Sequence, residues 1–312
     1  MSAQHVNRIH IIINPGSGRD EPILNVLNRV LAKAGILWEV SVTHAEGDAR
    51  DHAKRAISAG FDIVAVYGGD GTVAEAASGM IGSDIPLAIL PGGTSNVTAL
   101  ELGIPSRLED AIGLLCGGAF ELRKVDMGRV GHRTFLGHVG IGIEADMHEG
   151  ADRSMKDRLG VLAYPLAALR SLIDRPISHF DLVIDGEHFD VDGVDCMITN
   201  FGKIGILGAS VAPDISFSDG FLDVIVIRPV DSLSLGRLIE NALGLPEAAA
   251  LLPRWRARKV SVSATPPQKV SADGEVVGET PVEISIIPDA LWIVTPVVAN
   301  SAVPETTETP AE

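Results

Sequence analysis

Positions 9 to 13 hold four isoleucines around His10, a run that reads as a strand buried in a parallel sheet. After the loop Asn14-Pro15-Gly16-Ser17-Gly18 the period becomes helical. Ile23, Leu27, Val30, Leu31 and Ala34 fall on one face, with Asp20 placed to cap the helix and Gly35 to end it. Strand and helix patterns then alternate. Strands are predicted at Ile36–Val42, Phe61–Val66 and Leu87–Leu90. Helices are predicted from the cap Asp48 to Ala59, after Gly71, up to Leu102 and at Leu108–Leu115. Such alternation predicts a parallel sheet covered by helices.

From about Leu122 the pattern shifts to short alternating runs. Strands are predicted at Lys124–Arg129, Thr134–Glu144, Asp181–Ile184, Val194–Thr199, Leu222–Ile227, Val260–Ala264 and Glu283–Ile287, which suits a mostly antiparallel β domain. Helices interrupt them near Leu159–Ile173 and Ser234–Ala242. The tail from Asn300 is rich in Pro, Thr and Glu and reads as disordered. The expected division is therefore residues 1–121, 122–299 and 300–312.

The chain of 312 residues is long enough for two such domains, and 46% of it is apolar, as in a globular protein. No apolar run reaches the length of a membrane span, and the short polar start lacks a signal-peptide core. Two cysteines, Cys116 and Cys196, imply no disulfide framework and suit a reducing cytoplasm. A net charge of −16 argues against nucleic acid as a partner and against strong attraction to anionic lipid. The exception is Arg254-Trp255-Arg256-Ala257-Arg258-Lys259, which fits either a membrane-surface contact or a strand edge guarded by cations.

Three loops lie at the carboxyl ends of the predicted parallel strands, where open α/β sheets bind ligands: Asn14–Gly18, Gly68–Thr72 and Gly92–Asn96. The second joins a buried strand to a helix N-terminus, whose free N–H groups and dipole attract anions. Asp70 in its middle would repel a bare phosphate, which points to phosphate accompanied by Mg²⁺. The same residues also fit an ordinary glycine turn with Asp70 as helix N-cap. Gly69, Gly71 and Ala74 match the dinucleotide pattern G-x-G-x-x-A too, although that form opens a first strand–helix unit and this is the third. A Walker A sequence is absent, since Gly202-Lys203 is followed by Ile204. In the β region, Ser271–Glu275 and Ser216–Asp223 read as turns around Asp-Gly pairs. Gly140-Ile141-Gly142-Ile143-Glu144-Ala145 alternates like a strand. His138, Glu144, Asp146 and His148 make no convincing transition-metal set.

Taken together, Asn14-Pro15-x-Ser17-Gly18, Gly68-Gly69-Asp70-Gly71-Thr72 and Pro91-Gly92-Gly93-Thr94-x-Asn96, with Leu102-Gly103-Ile104-Pro105, resemble the diacylglycerol kinase catalytic domain. That domain also occurs in sphingosine kinases, ceramide kinases and bacterial soluble lipid kinases. Val125-Asp126, Gly140-Ile141-Gly142, Gly160-x-x-x-Tyr164, Asp219-Gly220-x-Leu222 and Asp273-Gly274-Glu275 extend the likeness over about residues 6 to 298.

The resemblance implies an N-terminal parallel α/β domain of the NAD kinase and phosphofructokinase type, and a C-terminal antiparallel β-sandwich whose last strand can return to the first domain. The active site would lie in the cleft between them. It implies ATP and Mg²⁺, and a lipid hydroxyl at a membrane surface as acceptor: diacylglycerol, a sphingoid base or a related alcohol. Glu275 matches the general base, with Asp70 and Asp273 as further catalytic acids. Asn14, Ser17, Gly18, Thr43, Gly68, Gly69, Gly71, Thr72, Gly93, Thr94 and Asn96 match the nucleotide site. Asp219, with the carbonyls of Ser216 and Phe221, matches a structural Mg²⁺ site. One departure is Val97, where many members have Asp. An NAD kinase-like phosphotransferase and a non-catalytic nucleotide or lipid sensor are the alternatives, and pairing of sheet edges would give a homodimer.

Overall fold

The computed structural model describes residues 6–17, 21–117, 120–142, 176–204, 209–210, 214–228 and 253–297. Gly18, Asp20, Glu144, Asp146 and His148 lie outside the described residues. So do the helices expected at 159–173 and 234–242 and the tail from 300.

The first part follows the alternation: β1 (Arg8–Ile13), α1 (Ile23–Lys33), β2 (Leu37–Val42), α2 (Asp48–Ser58), β3 (Ile63–Gly68), α3 (Asp70–Ser78), β4 (Leu87–Pro91), α4 (Val97–Glu101) and α5 (Leu108–Cys116). The strands pair in parallel in the order β2-β1-β3-β4. The chain crosses from one side of β1 to the other, so a crevice opens beyond the carboxyl ends of β1 and β3. β1, β3 and β4 are buried almost throughout, and Leu27, Leu31, Ala53, Ala76 and Ile112 bring the helices onto them.

Two helix starts differ from expectation. α1 begins after Pro22, with no side-chain cap. Asp48 is the first residue of α2 rather than its cap, because Gly47 turns the chain at φ 94°. Its carboxylate instead accepts from the backbone N–H groups of His44 (2.7 Å) and Ala45 (2.9 Å), which hold it below the usual carboxylate range.

The second part contains β5 (Phe120–Val130), β6 (Arg133–Phe135), β7 (His138–Gly142), β8 (Ser178–Ile184), β9 (Glu187–Gly193), β10 (Asp195–Thr199), β11 (Lys203–Ile204), β12 (Ala209–Ser210), β13 (Leu222–Ile227), β14 (Arg254–Ala257), β15 (Lys259–Thr265), β16 (Lys269–Ala272), β17 (Glu275–Glu279) and β18 (Val282–Pro296). An antiparallel sheet β14-β13-β10-β7-β16-β17 faces the β15-β8-β9 end of the larger sheet. Phe135, Phe180, Leu182, Ile198, Val224 and Val260 fill the space between them as a separate core. This is a β-sandwich.

The stretch expected as one strand, Thr134–Glu144, divides into β6 and β7, which belong to different sheets. β18 is much longer than the Glu283–Ile287 expected. The chain passes Pro288-Asp289 as a bulge between Ile287 and Leu291. There Asp289 takes φ 50° and donates its N–H to the buried carboxylate of Asp126 (2.8 Å). β18 thus pairs with β15 near its start and with β4 at Ile293, joining both halves in one sheet.

Candidate active site

Parallel pairing brings the ends of β1 to β4 to one rim. Asn14 follows β1 and donates through Nδ2 to Thr72 Oγ1 (2.8 Å), tying the first loop to the second. Ser17 Oγ donates to the Asn14 carbonyl (3.0 Å), and the buried Thr43 follows β2, its N–H on the Ile13 carbonyl (3.0 Å). The loops after β3 and β4 touch through bare backbone. A Cβ on Gly93 would stand 2.6 Å from Gly69 Cα, and one on Gly68 would stand 2.7 Å from Thr72 Cβ. A side chain on Gly93 would push the two loops apart, and one on Gly68 would collide with Thr72 of its own loop. Asn96 sits at φ 46° and closes its own loop, accepting from Gly93 N–H (2.8 Å) and donating to the Gly93 carbonyl (2.7 Å). Gly71 and Thr94 are left exposed on the rim.

Asp70 does not cap its own helix, whose N-cap is Gly69. Its two carboxylate oxygens accept from the N–H groups of Val97 (3.1 Å) and Thr98 (2.9 Å). Asp70 therefore caps α4 from across the rim, a bond type strengthened by the charge. Val97 enters this contact through its backbone alone.

The opposite wall of the cleft is made by the β5–β6 and β16–β17 hairpins. Asp273-Gly274 forms the two-residue turn of the latter, with φ 47° and 86°. The Asp273 carboxylate, expected to be catalytic, accepts from three backbone N–H groups: Leu136 (2.8 Å), Gly137 (2.8 Å) and His138 (3.1 Å). Burial raises its pKa, opposed by His138 and by those N–H groups. These bonds pin the β16–β17 turn to the break between β6 and β7.

Glu275 follows that turn. Arg133 Nη1 donates to its Oε2 (2.7 Å), while Arg133 Nη2 reaches Glu46 Oε1 (3.0 Å) on the β2–α2 loop. One guanidinium so spans the opening. Between the walls is a cleft of about 780 Å³, lined by Gly47, Gly71 and Glu75 on one side and by Thr134, Asp273 and Glu275 on the other. Glu75 was missed in the sequence. It is the one acid beyond the first turn of the small-residue helix α3, and that was the available signal. Among the described residues its buried Oε1 has no hydrogen-bond partner. Burial raises its pKa, the Gly47 backbone and Arg50 oppose the rise, and Glu275 and Glu46 add to it.

Comparison with known proteins settles the lineage. Residues 8–130 match the model of the diacylglycerol kinase catalytic domain, and residues 137–295 match that of the YegS C-terminal NAD kinase beta sandwich-like domain. A diacylglycerol kinase of Bacillus subtilis is 30% identical over 286 residues, covering 89% of this chain and 93% of the relative. One from Mycobacterium tuberculosis is 33% identical over 259 residues, covering 80% and 82%. The chain belongs to the diacylglycerol kinase family. A crystal structure of a family member from Bacillus anthracis superposes with a TM-score of 0.74 at 25% identity, covering 93% of this chain and 97% of that one.

The structural Mg²⁺ that the family resemblance assigns to Ser216, Asp219 and Phe221 is not matched by the donors present. Asp219 supplies the one carboxylate of that set. Its Oδ2 is held by Arg256 Nη2 (2.6 Å) and its Oδ1 accepts from Phe221 N–H (3.0 Å). Among the described residues no group of three or more acidic, histidine or cysteine side chains is disposed to hold a metal ion.

Proposed function

We propose that this family member is an ATP-dependent lipid kinase that transfers the γ-phosphate to a lipid hydroxyl, with diacylglycerol, a sphingoid base or a related alcohol as acceptor. The observation that carries the reading is the shared cleft: Gly71 of the glycine rim and Glu275 of the hairpin wall line the same space. ATP enters with its own Mg²⁺ as one substrate complex. The phosphates then meet the N–H groups at the start of α3 and the exposed Thr94 side chain, on a rim that Asn14 and Thr72 hold together. Phosphoryl transfer needs placement and charge neutralisation more than covalent help. The glycine loops serve placement by letting the main chain come close.

Glu275 accepts the proton of the attacking alcohol. A carboxylate has about four acceptor positions, so the bond from Arg133 leaves room for a hydroxyl. Asp70 and Asp273 act at one remove, the first holding α4 against the rim and the second holding the turn that presents Glu275. With a lipid acceptor the enzyme works as a peripheral protein at the cytoplasmic membrane surface. Incubation with γ-labelled ATP, lipid micelles and NAD, followed by chromatography, tests the reading. Label in a lipid product is expected. Label in NAD alone would overturn it in favour of an NAD kinase-like enzyme. Bound ATP with no transfer to any lipid would make the protein a sensor.

A further inference from the structure

The basic patch from Arg254 to Lys259 has no part in the proposed reaction, yet its arginines are committed to specific partners. Arg254 holds Asp223 (2.6 Å) and Asp214 (2.7 Å), and Arg256 holds Asp219 (2.6 Å). Among the described residues β14 is the edge strand beside β13, and Arg256 lies opposite Asp223 in its register. The period of a strand puts Arg254 and Arg256 on one face, and that face is turned to the acids of residues 214–223. Arg256 also lies over the ring of Phe221 at 4.4 Å, and Arg258 over the same ring at 4.9 Å.

These contacts converge on the turn to which the family resemblance assigns a structural cation. The turn is fastened without one. Gly220 N–H donates to Asp126 Oδ2 (2.7 Å), Asp126 N–H donates to the Phe217 carbonyl (2.7 Å), and Ser218 Oγ donates to the Lys124 carbonyl (2.8 Å). A magnesium ion on Asp219 would need an oxygen at about 2.0–2.1 Å and would keep an octahedral shell. It would have to displace the Arg256 guanidinium and then sit beside it and Arg258, with Asp219 as the one anionic donor of that set. Coulomb repulsion between like charges at such range opposes this.

We propose that the guanidinium of Arg256 replaces the structural cation at the Asp219 turn, so that the fold of this chain is indifferent to divalent metal. The inference is independent of the catalytic reading, since it concerns folding and not transfer. It also assigns the basic patch an internal role as counter-charge rather than a membrane contact.

Thermal unfolding of the full chain without nucleotide, in EDTA and in millimolar MgCl₂, is the test. The wild-type midpoint should be the same in both, and the gel-filtered protein should carry no stoichiometric magnesium. Arg256→Gln should melt lower in EDTA by about 2 °C, the scale of a partly exposed ion pair. MgCl₂ should restore that loss, because Asp219 is then open to a cation. Arg256→Lys keeps the charge and should stay indifferent. The proposal is overturned if the wild type loses several degrees in EDTA and regains them with Mg²⁺, or if it retains one equivalent of the ion. It is also overturned if Arg256→Gln shows no response to Mg²⁺. Should Arg256→Gln fail to fold, calorimetric titration of the wild type with MgCl₂ decides: no heat supports the proposal, and a saturable site refutes it.

Discussion

The two walls of the cleft are built from different material. On the rim of the parallel sheet, the groups that face a ligand are largely main chain: glycine against glycine, with Asn14, Asn96 and Asp70 spent on holding loops together. On the hairpin side, the groups that face the opening are charged side chains, Arg133 and Glu275, carried at the starts of β6 and β17. The rim suits a ligand whose charge is spread over many oxygens. The hairpin suits an event at one atom, such as taking one proton. Mutations should therefore act differently on the two sides, and four changes sharpen the contrast.

The largest stability effect is expected at Asp273. Removing its carboxylate in Asp273→Ala leaves three backbone N–H groups without their acceptor, at a cost of about 3 kcal/mol. Urea unfolding should show this as a lower midpoint with an unchanged slope. Asp273→Asn, which keeps one acceptor oxygen, should lose less. An unaffected midpoint would mean that the turn is not the anchor of the hairpin wall.

Next is Gly93→Ala on the rim. Its new methyl meets Gly69 Cα at 2.6 Å, so the two loops must separate. ATP affinity should fall about tenfold, or about 1.4 kcal/mol, while the maximal rate with saturating ATP changes little. Equilibrium nucleotide titration checks it. Arg133→Ala should matter least to folding among the contacts of the opening, under about 1 kcal/mol, since both its ion pairs are partly exposed.

The smallest effect concerns pH. Glu75 has a folded pKa raised above its ordinary value of 4.5. The folded state then binds the proton more tightly than the unfolded chain, so this contribution is present at low pH. It is lost as pH rises from about 4.5 through the raised value. Glu75→Gln should flatten that decline in a series of melts. A steeper decline in the variant would reverse the sign of the argument.

What was legible in the sequence was local. The strand–helix alternation, the glycine loops at the strand ends and the Asp273-Gly274 turn each follow from residues adjacent in the chain. The destinations of the acids were not legible. Asp70 caps a helix 27 residues on, and Asp273 binds the backbone of a turn more than 130 residues earlier. Backbone N–H groups are common to nearly every residue type, so they leave no mark in a sequence. β18 was read too short for the same reason, since the bulge at Asp289 is held by Asp126, 163 residues away. The bridge from Glu46 through Arg133 to Glu275 joins three distant segments and carried no local signal. Arg256 sat in a patch that was noticed, but its partner Asp219 lies 37 residues before it.

The division of labour across the cleft is tested most directly by Glu275→Gln, with ATP binding and phosphoryl transfer measured on the same preparation. ATP affinity should match that of the wild type, and transfer to the lipid alcohol should fall by at least about 100-fold, the usual scale of a lost general base. Transfer at the wild-type rate, or an equal loss of ATP affinity, would contradict the account.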